Sequence, residues 1–199
     1  MTVSNIITVS RIFLAPVFVA LIVLCDGMGN LRTAALIGAW VVYLLIELSD
    51  LADGFFARLL KQESELGRVL DPFADSLSRL SCFLAFTFVK IMPLWLFIIV
   101  LYRDLWVALL RTLMAKKGRL QGARLSGKIK AWVYAITNIA ALGAFTTARV
   151  LPRTLFHDIV SILCLICFGC VVIVALWSGL DYSIMLFSRK NAKNFTGGS

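Results

Sequence analysis

Four aspartates stand in two closely spaced pairs, Asp50 with Asp53 and Asp71 with Asp75. Residues i and i+3 share a helical face, as do i and i+4. On two helices, each pair therefore offers two carboxylates on one side, one turn apart. An antiparallel helix pair can aim all four at a common point. Hard divalent cations take oxygen ligands, and Mg²⁺ is held by a few carboxylates together with substrate phosphates. Two such ions roughly 3.5–4 Å apart clamp a displacement at phosphorus. The intervening residues suit the same chemistry. Gly54 lets a ligand approach the backbone, and Arg58, one turn further on, can pair with a phosphate. Ser64 and Gly67 lie in the polar connection LLKQESELG, where a nucleotide can rest.

The elements that must position these residues are apolar. The chain is 60% hydrophobic and 16% charged, with a mean hydropathy of +0.91. An ionised Asp in a membrane helix costs roughly 2.5–3.5 kcal/mol even on the lenient insertion scale. Something must neutralise the cluster, and a pair of divalent cations is the most economical candidate. A solvated acidic loop does not fit, because ALIGAWVVYLLIELSD leads from an apolar run straight into the motif. Apolar runs predict six membrane spans, at about 6–25, 34–53, 71–91, 93–113, 129–148 and 158–187. Each is near the roughly 20 residues that a bilayer core requires. The predicted fold is all-α, a polytopic membrane protein with the active site at the cytosolic end of the bundle. Residues 1–190 form a single domain and 191–199 a polar, disordered tail. Pro72 is expected at a helix start and Pro16 inside the first span.

Basic residues orient the bundle. With the N-terminus inside, the inner segments carry Arg58, Lys61 and Arg68, then the basic residues from Arg111 to Lys130, then Arg189, Lys190 and Lys193. The outer segments carry Arg32, Lys90, Arg149 and Arg153. This bias places both termini and the aspartate motif on the cytosolic side. The net charge of +9 suits anionic headgroups and an anionic substrate. The hydropathy excludes a soluble basic domain, so no nucleic acid is expected. MTVSNIITVSRIF lacks the basic segment of a cleavable signal. Cys164, Cys167 and Cys170 read as small apolar residues of a membrane helix, and His157, in a predicted outer loop, is assigned no role.

The stretch DLADGFFARLLKQESELGRVLDPFAD resembles the signature of the CDP-alcohol phosphotransferase family, D-x2-D-G-x2-A-R-x8-G-x3-D-x3-D, with every fixed point present at the right spacing. The resemblance implies an integral membrane enzyme, in a bacterial inner membrane, that joins a CDP-linked group to an alcohol and releases CMP. It implies that Asp50, Asp53, Asp71 and Asp75 hold two Mg²⁺ or Mn²⁺ ions and that Asp75 is also the general base. It assigns the CDP moiety to Gly54, Arg58, Ser64 and Gly67, and to Asn5 and Thr8 of an N-x-x-T segment. A homodimer is the implied assembly.

The acceptor is read from YRDLWVALLRTLMAKKGRLQGARLSGKIKAW. Arg103 and Arg111 stand in an apolar run, and Lys128 and Lys130 follow in Ser-Gly-Lys-Ile-Lys. A buried Arg needs an anion, and its planar fork suits a phosphate. The pattern resembles that of phosphatidylglycerophosphate synthases, R-[DE]-x6-L-R … G-K-x-K. It implies CDP-diacylglycerol as donor and glycerol 3-phosphate as acceptor. Synthases of that type follow the last Asp with Lys, whereas Asp75 is followed by Ser76; Arg79 can supply the missing charge. Two alternatives stay open: a phosphotransferase moving phosphocholine or phosphoethanolamine from CDP to diacylglycerol, and a non-catalytic membrane scaffold or transporter.

Overall fold

The computed structural model describes the backbone of residues 3–27, 32–60, 65–152 (save 117–124) and 154–194, with side chains over 8–27, 32–50, 73–112, 126–152 and 154–184. These residues form six helices and no strand: α1 (Val3–Gly27), α2 (Arg32–Leu60), α3 (Glu65–Phe88), α4 (Leu94–Lys116), α5 (Leu125–Val150) and α6 (Leu155–Asn194). Among the described residues four stretches, against the six expected, are long and apolar enough to cross a membrane, in α1, α2, α5 and α6. The chain is an integral membrane protein. α4 carries Arg103, Asp104 and Arg111 within its apolar run, so composition sets it apart from those four.

Each inner face is a stripe at steps of three and four residues. On α1 the buried residues are Thr8, Arg11, Ala15, Phe18, Ile22 and Cys25; on α2 they are Leu36, Ala39, Tyr43 and Ile46, and Asp50 continues the row. α3 follows with Asp75, Ser78, Cys82 and Phe86. α1 packs against both α2 and α3, and α6 against α5 and α4. Phe18 meets Phe86 edge-on at 5.9 Å within the first group. Phe83 of α3 joins the two groups, meeting Tyr134 of α5 at 5.1 Å and Phe168 of α6 at 6.2 Å. The opposite faces expose large apolar side chains such as Phe13, Leu48, Leu163, Ile166 and Ile173. In a bilayer these meet lipid, so their exposure carries no hydrophobic penalty.

Helices extend past the apolar runs that predicted them. α3 begins at Glu65, so Gly67, Asp71 and Pro72 are helical rather than loop or helix start. α6 continues through Asn194, past the 190 boundary, and includes His157 in its first turn rather than in a loop. Backbone hydrogen bonding is local and continues through polar residues where side chains meet water. At 40 residues and about 1.5 Å per residue, α6 outruns a bilayer core of about 30 Å. α3 ends at a tight turn in which Lys90 takes a left-handed φ of 61°. The Ile91 and Met92 amides return to the Phe86 carbonyl, as a left-handed helix stop requires.

Candidate active site

The three inner stripes carry their polar members to the same end of the bundle. Arg11 of α1, Asp50 of α2 and Asp75 of α3 meet there. Arg11 Nη1 donates to Asp50 Oδ1 at 2.8 Å and also to Asp75 Oδ1. Arg79 Nη2 donates to the other oxygen of Asp50 at 3.1 Å. The cavity they line also takes in Ile46, Glu47 and Ser78. Glu47 Oε1 lies 2.8 Å from the Tyr43 hydroxyl, which is also 3.0 Å from the Ala135 carbonyl. The side chains of Asp50 and Asp75 are about a third exposed, at 32% and 35%, while that of Arg11 is at 2%. The carboxylates thus open toward the cavity and the arginine lies behind them.

This geometry brings two predicted metal ligands, 25 positions apart in sequence, onto one cation. Clustered carboxylate oxygens facing a cavity are a donor set suited to a hard divalent ion. Among the described residues no group of three metal-ligating side chains occurs. Asp53, Gly54 and Arg58 lie on the α2 backbone, Gly67 and Asp71 on α3, and Asn5 on α1. Their side chains, and Ser64 altogether, fall outside the described residues. Thr8 is buried on α1, one turn before Arg11.

The predicted acceptor residues divide into two groups. Each nitrogen of the Arg103 guanidinium donates internally: Nε to the Ala175 carbonyl at 2.9 Å, Nη1 to Asp104 at 2.8 Å, and Nη2 to Ser178 Oγ. Lys130 Nζ donates to the same Asp104 oxygen at 2.6 Å and lies 4.7 Å from the Tyr134 ring centroid. Gly179 makes room for this arrangement, since a Cβ there would stand 3.3 Å from Arg103 Cγ. Arg111, by contrast, is exposed. Its Nη2 donates to the Tyr182 hydroxyl at 2.8 Å, and it passes close to Gly127 in the first turn of α5. Ser126 beside that glycine donates to Asp181 at 2.8 Å, and Lys128, the residue after it, is exposed.

Arg79, which can supply a charge near Asp75, pairs with Asp50. Arg11 and Glu47 were not singled out from the sequence. Arg11 had a readable signal, as a lone cation on the buried stripe of an apolar helix. Glu47 had a weaker one, one turn before Asp50. Cys164, Cys167 and Cys170 range from buried to exposed around α6, as packing residues do. His157 shares a 3.2 Å hydrogen bond with Thr147 Oγ1.

Residues 1–177 match the family model described as CDP-alcohol phosphatidyltransferase. The chain belongs to this family. Among similar members is a CDP-diacylglycerol–glycerol-3-phosphate 3-phosphatidyltransferase of Bacillus subtilis, 31% identical over 145 residues, which cover 69% of this chain and 75% of the relative. A protein of the same name from Treponema pallidum is 31% identical over 140 residues, 67% of this chain and 65% of the relative. A cardiolipin synthase (CMP-forming) of Streptomyces coelicolor is 34% identical over 118 residues, covering 59% and 54%. The match to the family model spans α1 to α5 and most of α6, so the cavity and the Arg103 cluster both lie within it.

Proposed function

We propose that this membrane enzyme transfers a phosphatidyl group from CDP-diacylglycerol to glycerol 3-phosphate, with release of CMP. The observation that carries the reading is the meeting of Asp50 and Asp75, from separate helices, at one cation beside a cavity. The relatives named for this reaction support it. Asp50, Asp53, Asp71 and Asp75 are the residues that would hold two Mg²⁺ or Mn²⁺ ions. When bound, such ions neutralise phosphate charge and polarise the phosphorus under attack. Arg58, Gly54, Ser64 and Gly67, with Asn5 and Thr8, hold the CDP moiety. Asp75 accepts the proton of the acceptor hydroxyl as that oxygen bonds to the β-phosphorus; the bond to CMP breaks and CMP leaves with the electron pair.

Arg111 and Lys128 meet the acceptor phosphate, since both are exposed beside the first turn of α5. Arg103 and Lys130 support these two residues by fixing α4, α5 and α6 around Asp104. The protein acts as a homodimer in a bacterial inner membrane with both termini in the cytosol, as the basic-residue bias supports.

The similarity to cardiolipin synthase supports a second reading, in which the acceptor hydroxyl belongs to a phospholipid. Purified protein in detergent micelles, given CDP-diacylglycerol and Mg²⁺, separates the two. CMP release should depend on glycerol 3-phosphate. Release dependent instead on phosphatidylglycerol moves the function to the second reading. Turnover only of CDP-choline with diacylglycerol overturns both.

A further inference from the structure

Arg11 is a cation that the aspartate signature does not contain, on a helix that carries none of the signature's carboxylates. One of its nitrogens contacts Asp50 and Asp75 together. That nitrogen already engages one oxygen of each of two carboxylates that would hold the metal. A guanidinium and a divalent ion seek the same oxygen lone pairs, and their like charges repel across a few ångströms, strongly so away from bulk water. We propose that Arg11 is a competing counterion for the metal site. It holds Asp50 and Asp75 together and yields at least one of their oxygens as a divalent ion loads, so that it sets the metal affinity.

The proposal rests on the two-metal reading above, and two further observations shape it. Arg11 occupies the buried stripe between Thr8 and Ala15, where a cation without an anion would be expensive. Its contacts with the carboxylates are therefore part of what lets α1 pack on α2 and α3 before metal arrives. Asp50 also has Arg79 on its second oxygen, whereas the carboxylate of Asp75 reaches Arg11. Asp50 stays paired if Arg11 withdraws, so the exchange falls on Asp75. The site then changes cation without ever leaving both carboxylates bare.

The test is Mn²⁺ binding, followed by the paramagnetic resonance of free Mn²⁺, with thermal denaturation in chelator and in saturating Mg²⁺. Wild type, Asp50→Asn, Arg11→Gln and Arg11→Lys are compared as full-length protein in micelles. Arg11→Gln should bind Mn²⁺ about tenfold tighter, the scale of one charge-assisted contact. It should melt below wild type in chelator, with the gap narrowing in Mg²⁺. Arg11→Lys keeps the charge and protects the fold, and its affinity should fall between the two. Unchanged or weaker Mn²⁺ binding in either Arg11 variant overturns the proposal, as does an equal melting loss with and without Mg²⁺. If wild type shows no Mn²⁺ binding that Asp50→Asn removes, the two-metal reading fails instead, and that result is visible before any Arg11 variant is measured.

Discussion

The Asp50–Asp75 cavity and the Arg103–Asp104–Lys130 cluster are both ionic and both lie inside a helical bundle, yet they are closed to different degrees. In the first, two carboxylates about a third exposed lean on two guanidiniums beside open space. In the second, Asp104 is 1% exposed and bridges two cations, and Arg103 donates in addition to a backbone carbonyl and a serine. An ion pair with an open side can exchange one partner for another. A sealed one whose donors are committed can only hold or break. On the proposed function, the first cluster is the one suited to chemistry, while the second fixes the geometry of α4, α5 and α6.

The sharpest way to break this contrast is Asp104→Asn. It leaves Arg103 and Lys130 without their anion, and breaking a buried pair by removing one partner costs about 3–5 kcal/mol. Thermal or denaturant unfolding in micelles should show that loss. A stable Asp104→Asn protein would mean that the cluster is not closed.

Next in size is the pair Arg111→Ala and Arg103→Ala. Loss of one charge-assisted contact is worth about 1.5–3 kcal/mol, or a roughly 10- to 150-fold change in binding. In Arg111→Ala it should appear as a higher KM for glycerol 3-phosphate with the melting temperature kept. In Arg103→Ala it should appear first as lost stability. Equal KM shifts at equal stability would place both arginines on the acceptor.

The smallest effect is expected from Gly179→Ala, whose Cβ would press on Arg103 Cγ at 3.3 Å. Overpacking of this kind costs about 1–3 kcal/mol, and the flexible arginine stem puts it at the low end. Mn²⁺ affinity should not move. A changed affinity would couple the two clusters.

Much of this was legible in the sequence. Apolar runs located all six helices, although among the described residues only the stretches in α1, α2, α5 and α6 have the length and hydropathy that a bilayer demands. Their ends were less legible. α3 starts before Asp71 and α6 runs to Asn194 because helical hydrogen bonds do not stop where hydrophobicity does. The aspartates suggest a site because carboxylates in apolar surroundings require a cation, and of the four the described side chains are Asp50 and Asp75, which meet at Arg11. Which cation of the protein itself meets them was not readable by spacing. Arg11 lies 39 and 64 residues from its partners, and only the packing of α1 against α2 and α3 brings it there. Arg103 shows the opposite limit. Its burial and charge were legible, but whether it faces a ligand or its own helix neighbours depended on Ser178 and Ala175 of α6.

If the open cluster performs the reaction while the closed one holds the fold, Asp75→Asn separates the two roles in one protein. The measurement is CMP release per folded molecule from CDP-diacylglycerol and glycerol 3-phosphate in Mg²⁺, with melting temperature recorded on the same preparation. The Asp75→Asn protein should melt near wild type and release CMP at least about 10²-fold more slowly, the scale of a lost general base. An Asp75→Asn enzyme that keeps near wild-type turnover, or one that loses activity only in proportion to its loss of folded protein, would contradict that division of roles.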